Sequence, residues 1–242
     1  MPRGAPDYSN VRAPGNLDRL DDLAELPPRL GFPSGLDRLG KVVLLEDFDT
    51  GGNLVSALTA DLGETSAISN EYNRYGRFSW ELARVADADS YAGAYVRVAA
   101  IGEDRIGGEV QFVVREHYPN LKLYLSWHDG TNGYTWGLRW DTANEKAYLG
   151  SDSVGYTQIT GTYKCFLNPA LVHTMKIVGD IDDEAYIRAY IDGKKLTLPE
   201  ADPYKYAYTY TPDIALSFYN GLDPTTAAKV FVDTMIITRA EP

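Results

Sequence analysis

A run of carboxylates, Asp180, Asp182, Asp183 and Glu184, is the first place to look for hydrolytic chemistry in this chain. Alternate side chains of an extended strand share a face, so Asp180, Asp182 and Glu184 would point together if the run were a strand. Retaining glycoside hydrolysis uses such a set, with two working carboxyl groups roughly 5–5.5 Å apart. The local context argues against it. Gly179 precedes the run and a strand-like stretch, Ala185–Ile191, follows, which places the acids where a hairpin turns. An acidic turn is solvated and keeps ordinary carboxylate pKa values, so the run is read as a turn and no catalytic set is assigned.

A second kind of chemistry is offered by aromatic rings, on which pyranose rings stack while nearby Asp, Asn or Arg side chains orient the hydroxyls. Three of the four tryptophans, Trp127, Trp136 and Trp140, lie between Leu121 and Leu149, with His128, Asp129, Asn132 and Arg139 among them. These seven residues form the candidate carbohydrate site. The same spacing supports a plainer reading, because Leu123, Leu125 and Leu138 share the tryptophan face and are core-like. In that case the opposite face, with Tyr124, His128 and Arg139, is the exposed one. The histidines His117, His128 and His173 are scattered and form no metal-binding pair. His128 is expected at a loop margin and His173 on an exposed strand face. Cys165 is the only cysteine, which excludes an intrachain disulfide, and it reads as a small buried hydrophobe.

These residues need strands to position them. Leu123, Leu125 and Trp127 alternate with Lys122, Tyr124, Ser126 and His128. After the turn-rich Asp129–Gly133, alternation resumes with Tyr134, Trp136, Leu138 and Trp140. From Lys41 onward about twelve short strands recur between turn signals, including a tight Asp192-Gly193 turn, which argues for a jelly-roll β-sandwich. Pro203–Pro212 is a Tyr-rich loop or edge strand. With 242 residues, 18 of them Tyr and 22 Gly, the chain is long enough for a full core in one β domain. The 34 acids against 23 bases give a net charge of −11, which disfavours binding to nucleic acid or anionic membranes.

Residues 1–40 differ in kind. Prolines at 2, 6 and 14 mark an extended arm. Asn16 then caps a short helix ended by Pro27-Pro28. The predicted domains are therefore this arm, 1–40, and a β-sandwich, 41–242. An arm without its own core is tied down by its own sandwich or by a neighbouring subunit. No apolar stretch has the length of a signal peptide core or a membrane span. The expectation is a chain made in the cytoplasm, reaching a virion or extracellular assembly by another route.

The order LLEDFDTGG, DGTNGYTWGLRWD, HTMKIVGD…AYIRAYIDGKKLTL and KVFVDTMIIT resembles the concanavalin A-like lectin/glucanase superfamily over residues 41–238, nearest its laminin-G-like and glucanase-like branches. The resemblance implies an all-β, concanavalin-like jelly roll whose closing strand pairs beside the first. It also implies that Asp47 and Asp233 could share a structural Ca²⁺, for which oxygen ligands are suited; the alternative is that Asp233 accepts a local hydrogen bond at a sheet edge. Laminarinase-like members carry a Glu-x-Asp-x-(x)-Glu strand, but here Asp180 replaces the first Glu. The superfamily includes lectins, glycanases, adhesion modules and virion proteins, so fold does not choose among them. The expected function is a non-enzymatic structural protein of a virion or similar ordered assembly, docking on its protein subunits through the arm. The alternative is a carbohydrate-binding module that recognises glycans on the sandwich, and a glycoside hydrolase ranks below both.

Overall fold

The computed structural model describes residues 40–242 except 49–51, 53, 61–62, 73–77, 88, 101, 103, 118, 169–170 and 222–226. The arm, its helix and the docking role expected of them lie outside the described residues, among which there is no helix.

The alternation read around the tryptophans is the centre of one sheet. Strands β7 (Asn120–His128) and β8 (Asn132–Asp141) pair antiparallel, Leu123 opposite Leu138 and Leu125 opposite Trp136. Beyond β8 come β9 (Lys146–Ser151) and β10 (Gly155–Ile159). On the other side of β7 lie β15 (Asp213–Gly221), β5 (Ala92–Ala99) and β2 (Val55–Thr59). The Tyr-rich segment contributes an edge strand, β14 (Tyr204–Ala207), which pairs with the hairpin end of β8. We call this eight-stranded layer the second sheet.

The first sheet runs β13 (Lys194–Lys195), β12 (Ala185–Ile191), β11 (His173–Asp180), β6 (Arg105–Glu116), β16 (Ala228–Arg239), β4 (Ser79–Arg84) and β3 (Thr65–Ser69), with β1 (Lys41–Glu46) also on β16. The closing strand therefore lies beside the first, as the resemblance implies. Asp192 and Gly193 both have positive φ, 51° and 73°. That is the two-residue hairpin geometry in which glycine is favoured, and it joins β12 to β13.

The inner faces meet in one core, a sandwich of two antiparallel layers. Trp136 and Trp140 are completely buried, and each indole N–H is satisfied, donating to Ala185 O at 2.9 Å and Tyr163 O at 2.8 Å respectively. Trp136 lies against Gly179 of the opposite sheet, where a Cβ would collide with the indole. Truncating a tryptophan so enclosed costs about 3–5 kcal/mol. A polar side chain also joins the two sheets. The amide of Asn220, on β15, donates to Leu82 O at 3.0 Å and Ala228 O at 2.8 Å, tying the second sheet to β4 and β16.

Candidate functional site

Because Leu121, Leu123 and Leu125 point inward, Lys122, Tyr124, Ser126 and His128 stand on the outer face of the second sheet. Register then assembles cross-strand rows. Arg139, Lys122, Tyr219, Gly93 and Leu58 form one, and Gly137, Tyr124, Ser217, Tyr95 and Ser56 the next. Gly93 makes room for a ring, since a Cβ there would sit 2.7 Å from that of Tyr219, whereas a Cβ on Gly137 would meet the Gly150 carbonyl oxygen first and the Tyr124 ring at 2.8 Å. Tyr219 meets Tyr91 and Tyr124 edge-on, with centroids 5.9 and 5.7 Å apart.

At the centre of this face lies Lys122, only 6% exposed although it points away from the core. Its Nζ donates to both carboxylate oxygens of Asp152 at 2.8 Å. Asp152 comes from the β9–β10 turn and also accepts from the hydroxyls of Tyr124 at 3.0 Å and Tyr156 at 3.1 Å. The two hydroxyls are themselves 2.5 Å apart. Burial pushes both phenols above their ordinary pKa. Burial acts to raise the Asp152 carboxyl, but the hydrogen bond and charge of Lys122 together with the Tyr124 and Tyr156 hydroxyls hold it below its usual value. Arg139 lies 5.2 Å from the ring centroids of both Tyr148 and Tyr156, with its Nε donating to Asn120 at 2.9 Å. Beside this cluster opens a cleft of about 680 Å³, whose lining includes Leu58, Tyr91, Lys122, Tyr124, Asp152 and Tyr219.

A second polar group occupies the β14 end of the face. His128 Nδ1 is 2.5 Å from Asp213 and its Nε2 is 2.6 Å from the Tyr206 hydroxyl. Tyr208 stacks on the imidazole at 3.8 Å and donates to Asp213 at 3.2 Å. Arg97 approaches the same carboxylate at 3.2 Å. His128 is thus 4% exposed, not at an open loop margin. It acts as a clamp that holds the Tyr-rich strand over the sheet.

The expected carbohydrate residues divide accordingly. Trp136 and Trp140 belong to the core and present no platform to a ligand. Trp127 is half-buried and packs on Tyr134 at 5.6 Å. Asp129 and Asn132 are spent on the hairpin turn. Asp129 accepts from Thr131 N and Asn132 N at 2.6 and 2.5 Å, and the Asn132 backbone hydrogen bond is the chief cause holding its carboxyl below the usual range. Arg139 and His128 do lie on the outer face. Tyr91, Asp152, Tyr156 and Tyr219 join them there, from separate strands and turns that only the fold brings together, so no local pattern announces them.

The acidic run is a turn, residues 181–184 between β11 and β12, but not a uniformly solvated one. Asp180 ends β11 at 3% exposure, paired with Arg105 at 2.7 Å. Burial would raise its carboxyl, but the Asp183 N–H and Arg105 hold it below the ordinary value. Glu184 pairs with Lys205 at 2.7 Å and accepts from Tyr134 at 3.1 Å. His173 is also corrected. It is 2% exposed, packed on Phe112 and Trp140, with Nδ1 2.8 Å from Asp192 and Nε2 3.7 Å from Cys165.

For the expected cation, register places Asp47 just past the Glu46–Met235 pair. Asp233 sits at a β-bulge in β16, a strand flanked on both sides, so it is not at a sheet edge. Among the described residues no group of three or more His, Cys, Asp or Glu is arranged to hold a metal ion.

No family model matches the chain, and neither does any curated protein sequence. Among solved structures, the chain is similar to the cellulose induced protein Cip1, with TM-score 0.55 and 10% identity over 81% of this chain and 96% of that one. It is similar to an endo-beta-1,4-glucuronan lyase from the fungus Trichoderma reesei, with TM-score 0.52 and 10% identity over 82% and 96%. A sialidase matches with TM-score 0.51 and 11% identity over 86% of this chain, which spans 19% of that protein's length. The fold is a concanavalin-like jelly roll. At these identities the likeness concerns fold alone, and enzymes are among its bearers.

Proposed function

We propose that the chain is a non-catalytic carbohydrate-binding protein whose binding surface is the outer face of the second sheet. The observation that carries this reading is the ring-lined cleft beside Lys122. Tyr219 meets the rings of Tyr91 and Tyr124 edge-on above Gly93, and phenol hydroxyls line the cleft with them, as a hydroxyl-rich ligand requires. The names of two similar structures, one a cellulose induced protein and one a glucuronan lyase, support a carbohydrate ligand. The carboxylates that would be enlisted for hydrolysis are held in ion pairs instead, Asp180 with Arg105 and Glu184 with Lys205. Affinity electrophoresis through gels containing soluble polysaccharides tests the proposal. Retardation by at least one polysaccharide, without depolymerisation on long incubation, is expected. Migration unchanged in every gel would refute binding, and release of reducing or unsaturated ends would refute the non-catalytic part.

A further inference from the structure

Resting on the carbohydrate reading, we infer that the cleft selects neutral, hydroxyl-rich glycans over uronates, and that Asp152 sets this preference by occupying Lys122. Among the described residues, the cleft lining contains one cation, Lys122, and two carboxylates, Asp89 and Asp152. A ligand carboxylate entering there meets net negative charge, in a chain whose formal charge is already −11. The Lys122 ammonium is not available to it, because both oxygens of Asp152 hold Lys122 Nζ at 2.8 Å. The tyrosine hydroxyls complete the enclosure. Tyr124 and Tyr156 donate to the same carboxylate, so four hydrogen bonds fill its acceptor sites. To ion-pair with Lys122, a uronate must displace an intramolecular carboxylate already bonded on both oxygens.

Two other cations of the face, Arg97 and Arg139, are engaged as well. Arg97 is at 3.2 Å from Asp213, and the Arg139 guanidinium lies against Tyr148 and Tyr156. A neutral sugar needs none of these charges, since its ring stacks on Tyr219 or Tyr91 and its hydroxyls exchange donors and acceptors with the rim. Asp152 is therefore a specificity residue. It is more than half exposed on its turn while its partner Lys122 is buried beneath it, so its replacement uncovers a cation without opening the core. Like-charge exclusion of this kind discriminates between ligands of equal shape.

Matched probes test this: soluble oligomers of β-1,4-glucan and β-1,3-glucan, each before and after oxidation of its C6 hydroxymethyl groups to carboxylates, with affinities measured by calorimetry on the full chain. The wild type is expected to bind a neutral oligomer and to bind its oxidised form at least about tenfold more weakly. Asp152→Asn should move that ratio about tenfold toward the oxidised form. Adding Lys122→Met to Asp152→Asn should return the ratio to the wild-type side, which separates the uncovered ammonium from any loosening of the turn. A wild type that prefers the oxidised oligomers would overturn the inference while leaving carbohydrate binding standing. A ratio unmoved by Asp152→Asn would remove Asp152 from its role. Binding to neither form of any oligomer, together with free migration in the polysaccharide gels, would overturn the carbohydrate reading itself.

Discussion

Tyr219→Ala is the sharpest perturbation of the proposed surface. Tyr219 stands on β15 at the centre of the second sheet, with Gly93 beside it and edge-on contacts to Tyr91 and Tyr124. Each such aromatic pair is worth about 0.5–1.5 kcal/mol beyond its buried area. Loss of both therefore destabilises the fold by about 1–3 kcal/mol. A sugar ring stacked on the phenol forfeits a contact of similar kind, about 1–2 kcal/mol, or about five- to thirtyfold in affinity. Calorimetric titration with a bound neutral oligosaccharide gives the affinity, and urea unfolding of the same sample shows that the variant is folded. Tyr219→Phe keeps the ring and loses only a hydroxyl, so it should retain most of the binding. Tyr210→Ala, at a residue 73% exposed and outside the cleft lining, should leave affinity unchanged. If folded Tyr219→Ala bound with wild-type affinity, the ring would not be part of the binding surface and the reasoning from the tyrosine rows would fail.

Three further outcomes follow from other parts of the molecule. Asn220→Ala removes both donors that bridge the sheets to Leu82 O and Ala228 O, and urea unfolding should show a loss of about 2–4 kcal/mol. The His173 imidazole is opposed by burial, but its hydrogen bonds to Asp192 and Cys165 push its pKa from 6.5 up to about 10. The resulting stability is complete below pH 6.5 and disappears as pH rises through 10. Asp192→Asn should therefore flatten the pH dependence of the unfolding free energy across that window, and an unchanged slope would exclude the ion pair as its source. The docking role expected of residues 1–40 predicts that their deletion abolishes any higher assembly, read by light scattering, while the unfolding transition of the sandwich persists. A truncated chain with the size distribution of the full chain would remove that role.

What was legible in the sequence was whatever one strand or one turn encodes by itself. The leucines and tryptophans of 121–140 alternate strictly, so β7 and β8 could be read directly, and Asp192-Gly193 announced its own turn. Strands β2 (VSALT) and β3 (TSAIS) carry small and polar residues with little apolar alternation. They are strands because β5 and β4 offer them free edges, and no local pattern records that. The same division explains the histidines. Alternation puts His128 on the polar side of β7, but its burial is supplied by Tyr206 and Tyr208, some 80 residues away along the chain.

The proposed binding face was hidden for a related reason, and the largest rings point to the opposite side of the sheet. A tryptophan has the most to gain from burial, so three of them in one hairpin describe the core before they describe a ligand. The tyrosines that do face outward are dispersed over β5, β7, β10 and β15, and in each strand they look like ordinary solvent-side residues. Lys122 looks equally ordinary, because the Asp152 that covers it belongs to a turn two strands away. One signal was nevertheless present. Gly93 and Gly137 lie on outward-facing positions of their strands, where glycine weakens the strand and has no core to relieve. A glycine kept at such a position marks the close approach of something bulky across the outer surface. At Gly93 that something is the ring of Tyr219, whereas Gly137 meets the Gly150 carbonyl before the ring of Tyr124, so Gly93, more than the tryptophans, marks the aromatic outer surface of this protein.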